Sequence, residues 1–342
     1  TPPPGAPPGF APSPGGVCRL TEAQYNNLRA WAGTNSTVVP SEADHSYDYF
    51  LPSFNVRVEA TDDLLFRFAA SHVMTRPEQA YTRNFLTIGV DGNGVLNANA
   101  GNPYLMPATA WQFDLTAEWY FAPVGSLTLN GFYKDVKNFF YQQTINLPIE
   151  NNGITLAIPM RGPENYDGHG KIKGFEIAYQ QTYDFLPAPL DGLGVNANYS
   201  FIDSSGLPNT FLNTGSPVNP STIPPGDLPL EGLSKHNANF TLFYEKGPLS
   251  VRAAYNWRSR FLLTAADVIF PYTSIFNEAT GQLDGSIFYS VTDQIKVGVQ
   301  AVNILNEVTK TSQAYTGDPD RLAPRSYFMN DRRFSLIVRG NF

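Results

Sequence analysis

The feature that most constrains this chain is a two-residue alternation whose polar side is built mainly from small, uncharged groups. Leu249, Val251, Ala253, Tyr255 and Trp257 alternate with Ser250, Arg252, Ala254, Asn256 and Arg258, so one face is apolar and the other polar. The pattern recurs in Trp111, Phe113, Leu115, Ala117 and Trp119 against Gln112, Asp114, Thr116, Glu118 and Tyr120. Leu193 to Phe201 and Ala238 to Tyr244 repeat it with Asn and Ser on the polar side. A soluble sandwich also alternates, but its outer face is usually rich in Lys and Glu. Here the pattern predicts strands between hydrocarbon and an enclosed, watery interior.

Composition agrees. Apolar residues reach 42% while charged ones are only 15%, against roughly 25% in an ordinary soluble domain. No apolar run is long enough for a helical span, which needs about 18 residues, so any crossing must use strands. With 23 Lys+Arg against 30 Asp+Glu the net charge is -7, which argues against nucleic acid as a partner. The single cysteine, Cys18, is a free thiol or pairs outside these residues.

Residues 1–45 read as a Pro/Gly-rich extracellular loop, with a short helix near 21–32 started by Thr21 and Gln24 and stopped by Gly33. Residues 46–342 read as continuous barrel wall. About eleven strands are expected, the first near Tyr47 to Ala60. Short turns at Thr61 to Asp63, Pro123 to Ser126, Pro187 to Gly192, Glu245 to Pro248 and Thr292 to Gln294 alternate with five long connections. These lie near 78–109, 142–168, 207–231, 266–279 and 311–329 and read as structureless. Tight periplasmic turns facing long extracellular loops are the signature of a transmembrane antiparallel β-barrel. Aromatic runs at Trp119, Tyr120 and Phe121 and at Phe139, Phe140 and Tyr141 fit its interface girdles. An odd count that begins extracellularly predicts the C-terminal part of a larger barrel, because an open sheet would leave unpaired edges in lipid.

Several ordered segments resemble the TonB-dependent receptors of Gram-negative outer membranes. They are LPSFNVRVEATDDLLFRFAASHVMTRP (51–77), NPYLMPATAWQFDLTAEWYF (102–121), LTLNGFYKDVKNFF (127–140), GFEIAYQ (174–180), VQAVNILNEV (299–308) and RRFSLIVRGNF (332–342). The resemblance implies a 22-stranded barrel integral to the outer membrane, of which this chain supplies about the last eleven strands. It also implies a plug and the remaining strands outside this chain, a TonB energy-coupling complex acting through a missing N-terminus, and a surface lipoprotein as a further partner. Cys18 would then pair within the unseen part of the same loop. Phe334, Leu336, Val338 and Phe342 resemble the terminal signal read by the barrel assembly machinery.

Catalytic patterns are missing. His45, His72, His169 and His236 are isolated, and no HExxH, CxxC or Gly-x-Ser-x-Gly occurs, so the sequence predicts no enzyme and calls for no cofactor. Asp91, Asn93 and Asn97 loosely suit calcium, but no Glu follows at the twelfth position, so a Gly/Asn turn is the better reading. Inside the barrel, Asp114, Glu118 and Glu176 are expected to form structural ion pairs with lumenal Arg and Lys. Candidate substrate contacts in the extracellular loops are Trp31, Tyr81, Arg83, Tyr104, Phe211, Phe270, Tyr272, Tyr315, Arg321 and Arg325. Aromatic rings stack on sugars and Arg grips ferric chelates, and aromatic residues outnumber basic ones, which slightly favours carbohydrate over iron-siderophore. The alternative is a passive porin or adhesin barrel without energy coupling.

Overall fold

A computed structural model describes residues 23, 42–90, 96–151, 153–209, 228–267, 273–314 and 318–340. Of the helix expected near 21–32, Ala23 alone is described, and it is helical. The strands, in chain order, are β1 (Ser53–Glu59), β2 (Leu64–Thr75), β3 (Leu86–Val90), β4 (Leu96–Ala100), β5 (Ala108–Ala122), β6 (Gly125–Lys137) and β7 (Phe140–Asn151). They continue as β8 (Ile154–Asn165), β9 (His169–Thr182), β10 (Leu193–Ser205), β11 (His236–Lys246), β12 (Leu249–Arg258) and β13 (Phe261–Thr264). The last are β14 (Ile275–Asn277), β15 (Thr280–Ser290), β16 (Ile295–Val302), β17 (Val308–Gln313), β18 (Ala323–Met329) and β19 (Arg333–Gly340). One turn of helix, α1 (Gln79–Thr82), precedes β3.

Eleven strands form the wall, in the order β1-β2-β5-β6-β9-β10-β11-β12-β15-β16-β19, each antiparallel to its neighbours. Register carries one apolar face across all of them. Val56 lies opposite Phe68, Phe68 opposite Leu115, and Leu129 opposite Ile177. Further along, Leu242 faces Ala253, Val251 faces Ile287, and Val299 faces Leu336. A one-residue slip anywhere would turn that row inward. These apolar side chains are open rather than packed: Leu336 is 81% exposed and Leu115 58%. A globule would bury them; a bilayer provides their surroundings.

The opposite face is polar and bonded to itself. Asn239 Nδ2 donates to Asn198 Oδ1 at 2.7 Å, and Thr116 Oγ1 donates to Asn130 Oδ1 at 3.0 Å. Inward Phe243 lies flat against the neighbouring strand at Gly194, where a Cβ would come within 2.2 Å of the ring. Glycine there lets a large ring lie along the wall. The sheet is not closed among the described residues, since β1 and β19 each have one partner.

The five short turns fall where the sequence places them. The first strand is shorter than expected, because residues 47–52 have no strand partner and pairing begins at Ser53. The long connections differ more. Four of them carry strands, forming two further sheets, β3-β4-β8-β7 and β13-β14-β17-β18. Among the described residues, every buried apolar one but Leu65 belongs to these connections rather than to the wall. The core of this chain therefore sits at its extracellular end. Phe140 and Tyr141 begin β7 and belong to the loop sheet, with Tyr141 edge-on to Tyr166 at 6.1 Å, so they are not part of a membrane girdle. Trp119 and Phe121 do contact each other on the lipid side at 5.1 Å, whereas Tyr120 points inward and donates to Glu118 Oε2 at 2.7 Å.

Candidate functional site at the extracellular end

The first loop assembly joins two connections. β4 pairs in parallel with β8 through Ala98 and Met160 and through Asn99 and Arg161. Beneath that junction Ala98 and Ile158 are buried, with Leu96, Ile149, Ile154, Leu156 and Met160 packed around them. Alternation over Ile154, Leu156, Ile158 and Met160 puts all four on the packed face.

Two asparagines tie the connections of this assembly together. Asn165 Oδ1 accepts from the Met106 N–H at 2.8 Å, and its Nδ2 donates to Met106 O and Asn138 O, both at 2.9 Å. Asn102 Nδ2 donates to Pro163 O at 3.1 Å, its Oδ1 accepts from the Tyr104 N–H at 3.0 Å, and its own N–H donates to Tyr81 O at 2.8 Å. The Asn-Pro-x-Leu-x-Pro segment from Asn102 is thus a clamp, with Leu105 and Pro107 buried under it. Gly101 passes under the Arg83 carbonyl, where a Cβ would be 1.9 Å from the oxygen.

Burial sets the electrostatics here. It pushes the Glu164 carboxyl above the ordinary carboxylate range and lowers the Arg161 guanidinium from its usual value, the latter partly offset by Tyr81. Tyr141, cross-strand from Glu164, is raised first by burial and then by that carboxylate.

The second assembly draws on three connections. Leu228, Leu262, Ala265 and Phe276 form its buried cluster, with Leu322 packed against it. Arg325 donates to Asp267 Oδ2 at 2.7 Å, and Gln313 Nε2 reaches the same oxygen at 3.3 Å. Glu231 Oε1 accepts from the Ala265 N–H at 2.5 Å, tying the connection after β10 to the one after β12. Below, Arg258 donates to Ser234 Oγ at 2.7 Å and to Gly232 O at 2.9 Å, with its guanidinium 3.8 Å from the Phe261 centroid. Asn303 and Asn306 take left-handed conformations, φ 56 and 55, and turn the chain out of β16. Asn303 secures that turn by accepting from the Glu307 N–H at 2.8 Å and donating to Asn330 O.

Five sequence candidates are described. Tyr81 lies in α1, and Arg83 stacks over Phe85 at 5.1 Å. Tyr104 is 57% exposed and meets His45 edge-on at 5.9 Å; His45 in turn touches Tyr47, and Tyr47 touches Tyr49. Arg325 is held by Asp267, and Arg321 reaches Asp318 at 3.5 Å on the open surface. Tyr81, Arg83 and Tyr104 share the first assembly and Arg321 and Arg325 the second, and no hydrogen bond, ion pair or ring contact joins the two groups among the described residues. Trp31, Phe211, Phe270, Tyr272 and Tyr315 lie outside the described residues, as do Asp91, Asn93, Cys18 and Phe342. Asn97 is a β4 residue opposite Gly89. No cluster able to hold a metal occurs among the described residues.

On the lumenal side a cavity of about 260 Å³ is lined by Asn55, Arg57, Arg67, Asp114 and Thr116 among others. Arg67 Nε meets Glu118 Oε1 at 2.7 Å, and Arg57 meets Glu59 at the same distance. Among the described residues, Asp114 and Glu176 form no ion pair, so of the three inward carboxylates singled out by sequence only Glu118 has one.

A wall with one lipid face, one wet face, short turns at one end and folded loops at the other is the architecture of an outer-membrane-type β-barrel. The chain belongs to the family described as TonB dependent receptor-like, beta-barrel, whose model matches residues 21–304. Among solved structures, a ferric enterobactin receptor (PfeA) mutant from Pseudomonas aeruginosa aligns over 84% of this chain and 40% of its own, at 14% identity and TM-score 0.58. The siderophore receptor PirA from Acinetobacter baumannii aligns over 75% and 37%, at 15% identity and TM-score 0.53. The FpvAI–pyocin S2 complex aligns over 87% and 34%, at 13% identity and TM-score 0.55. This chain therefore spans well under half the length of these receptors. No curated protein matches it by sequence.

Proposed function

We propose that this chain is the C-terminal part of the barrel of an outer-membrane receptor that takes up a nutrient by energy coupling. The observation that carries the reading is the continuous two-faced register of eleven strands, capped at one end by loops with cores of their own. In this reading further strands join β1 and β19, a plug fills the lumen, and TonB drives release. Membership in a family of transport receptors supports uptake over a passive porin or adhesin.

For the substrate, carbohydrate keeps its slight preference. Described basic candidates are occupied by their own neighbours, Arg325 by Asp267, Arg321 by Asp318 and Arg83 by Phe85. Tyr104 and His45 are exposed, and the adjoining segment carries Glu42, Asp44 and Asp48 with no basic residue, a setting that suits a neutral sugar and repels an anionic chelate. The iron-chelate reading draws on the printed names of the structural relatives, PfeA and PirA, which are siderophore receptors. Growth of a deletion strain on iron-limited and on sole-carbon media separates them. A defect on one oligosaccharide, reproduced by removing TonB, is the expected result; a defect confined to iron limitation would assign the chelate instead.

A further inference from the structure

On the proposed reading of a membrane barrel, we infer that the outward rim of β6, β9 and β10 binds the phosphorylated headgroup of an outer-leaflet lipid. Four of the chain's eight lysines, Lys137, Lys171, Lys173 and Lys235, gather there in a protein of net charge -7. All four are exposed. Register places the first three on the lipid side: Lys173 is opposite Tyr133 and Lys171 opposite Asp135, in the same alternation as Phe175 opposite Gly131 and Ile177 opposite Leu129. Lys235 joins them from the approach to β11, its Nζ 5.8 Å from the centroid of outward Phe201.

Height along the wall sets the chemistry. Phe175, Phe201, Tyr199 and His236 form a belt with successive ring centroids 5.2 to 6.1 Å apart, and Tyr199 Oη lies 2.6 Å from His236 Nδ1. Tyr199, with its hydroxyl bonded to His236, is an amphipathic ring of the kind that marks the membrane–water boundary. Lys173 and Lys171 precede Phe175 by two and four residues, about 7 and 13 Å nearer the loop end of β9, which is headgroup depth. Two carboxylates accompany the lysines: Asp203 takes Lys235 at 2.8 Å, and Asp135 takes His169 at 3.2 Å. Lys137, Lys171 and Lys173 have no ion pair among the described residues. The patch thus keeps a positive excess at the edge of the lipid surface, where each lysine attracts an anionic headgroup. Inward lysines such as Lys134 and Lys296 face the lumen and cannot share this role.

The receptor carrying this chain, purified whole, would be reconstituted with phosphatidylcholine and lipid A, a bisphosphorylated glycolipid, and retained lipid read by native mass spectrometry. The parent is expected to keep lipid A in preference to phosphatidylcholine. K137Q/K171Q/K173Q/K235Q should lose about tenfold in lipid A retention, with phosphatidylcholine unchanged, while K134Q/K296Q behaves as the parent. The milder K171Q/K173Q shows the same direction should the fourfold variant not assemble. Equal lipid A retention by parent and rim variants overturns the inference, as does release of lipid A by inorganic phosphate at matched concentration. A parent that needs no detergent and shows no heat-modifiable mobility overturns the barrel reading itself, and the lipid site with it.

Discussion

Asn165 holds Met106 as a strand partner would, accepting from its N–H at 2.8 Å and donating to its carbonyl at 2.9 Å. One side chain from the end of the β7–β8 hairpin thereby satisfies both backbone groups of a residue in a different connection. Asn165→Ala orphans those groups and should cost about 1–3 kcal/mol of local stability. Limited proteolysis should then cut residues 96–107 and 140–165 faster, with barrel migration on a gel unchanged. Asn165→Asp sets a carboxylate oxygen against the Met106 and Asn138 carbonyls that Nδ2 now serves and should cost at least as much as the alanine at neutral pH.

Asp267 is nearly buried, while its partner Arg325 is partly open. Removing the arginine takes a cation from 2.7 Å of a nearly buried carboxylate; removing the carboxylate leaves a cation that can reach water. Arg325→Met should therefore destabilise the second loop assembly by about 3 kcal/mol and Asp267→Asn by less, and the double variant should recover part of the loss. Hydrogen exchange over 261–264 and 275–277 reads the order. Equal losses with no recovery would mean the pair is not coupled.

Glu164 supplies a pH dependence. Its folded carboxyl is raised by burial, so the native loop binds a proton more readily than the unfolded one. The first loop assembly should accordingly be most stable at acidic pH and weaken as pH rises from the ordinary Glu value through the raised folded value. Glu164→Gln should abolish that trend. Protease resistance of the loop sheet across this range is the measurement, and a slope of the opposite sign would contradict the assignment.

Adjacent positions on β19 should respond oppositely to charge. Leu336 lies on the lipid row opposite Val299, whereas Ser335 lies inward opposite Gln300. Leu336→Arg should cost about 2–4 kcal/mol near the bilayer midplane and lower the folded yield, while Ser335→Arg should be tolerated. Urea unfolding in vesicles would show the asymmetry.

Wall and turns were legible in sequence because alternation is local: Leu249 to Trp257 announces its two faces without reference to any other strand. The loop assemblies were not, although Ile154, Leu156, Ile158 and Met160 carry the same period. Pro148, Pro159 and Pro163 interrupt the pattern and read as loop. The decisive contact, Ala98 against Met160, joins residues from separate connections, and a parallel bridge leaves no local signature. Asn102 and Asn165 were missed for a related reason. Asparagine in a loop ordinarily marks a turn, and nothing in sequence distinguishes one that clamps a distant backbone.

The central claim is that alternate residues face hydrocarbon and lumen. In a Cys18→Ser background, single cysteines at Val251, Arg252, Tyr255 and Asn256 can be spin-labelled in the reconstituted receptor and tested for collision with oxygen and with a water-soluble nickel chelate. Positions 251 and 255 should favour oxygen and 252 and 256 nickel, the preference reversing at each step along β12. Labels at 251 and 255 shielded from both reagents would place those side chains in a packed protein interior and contradict the account.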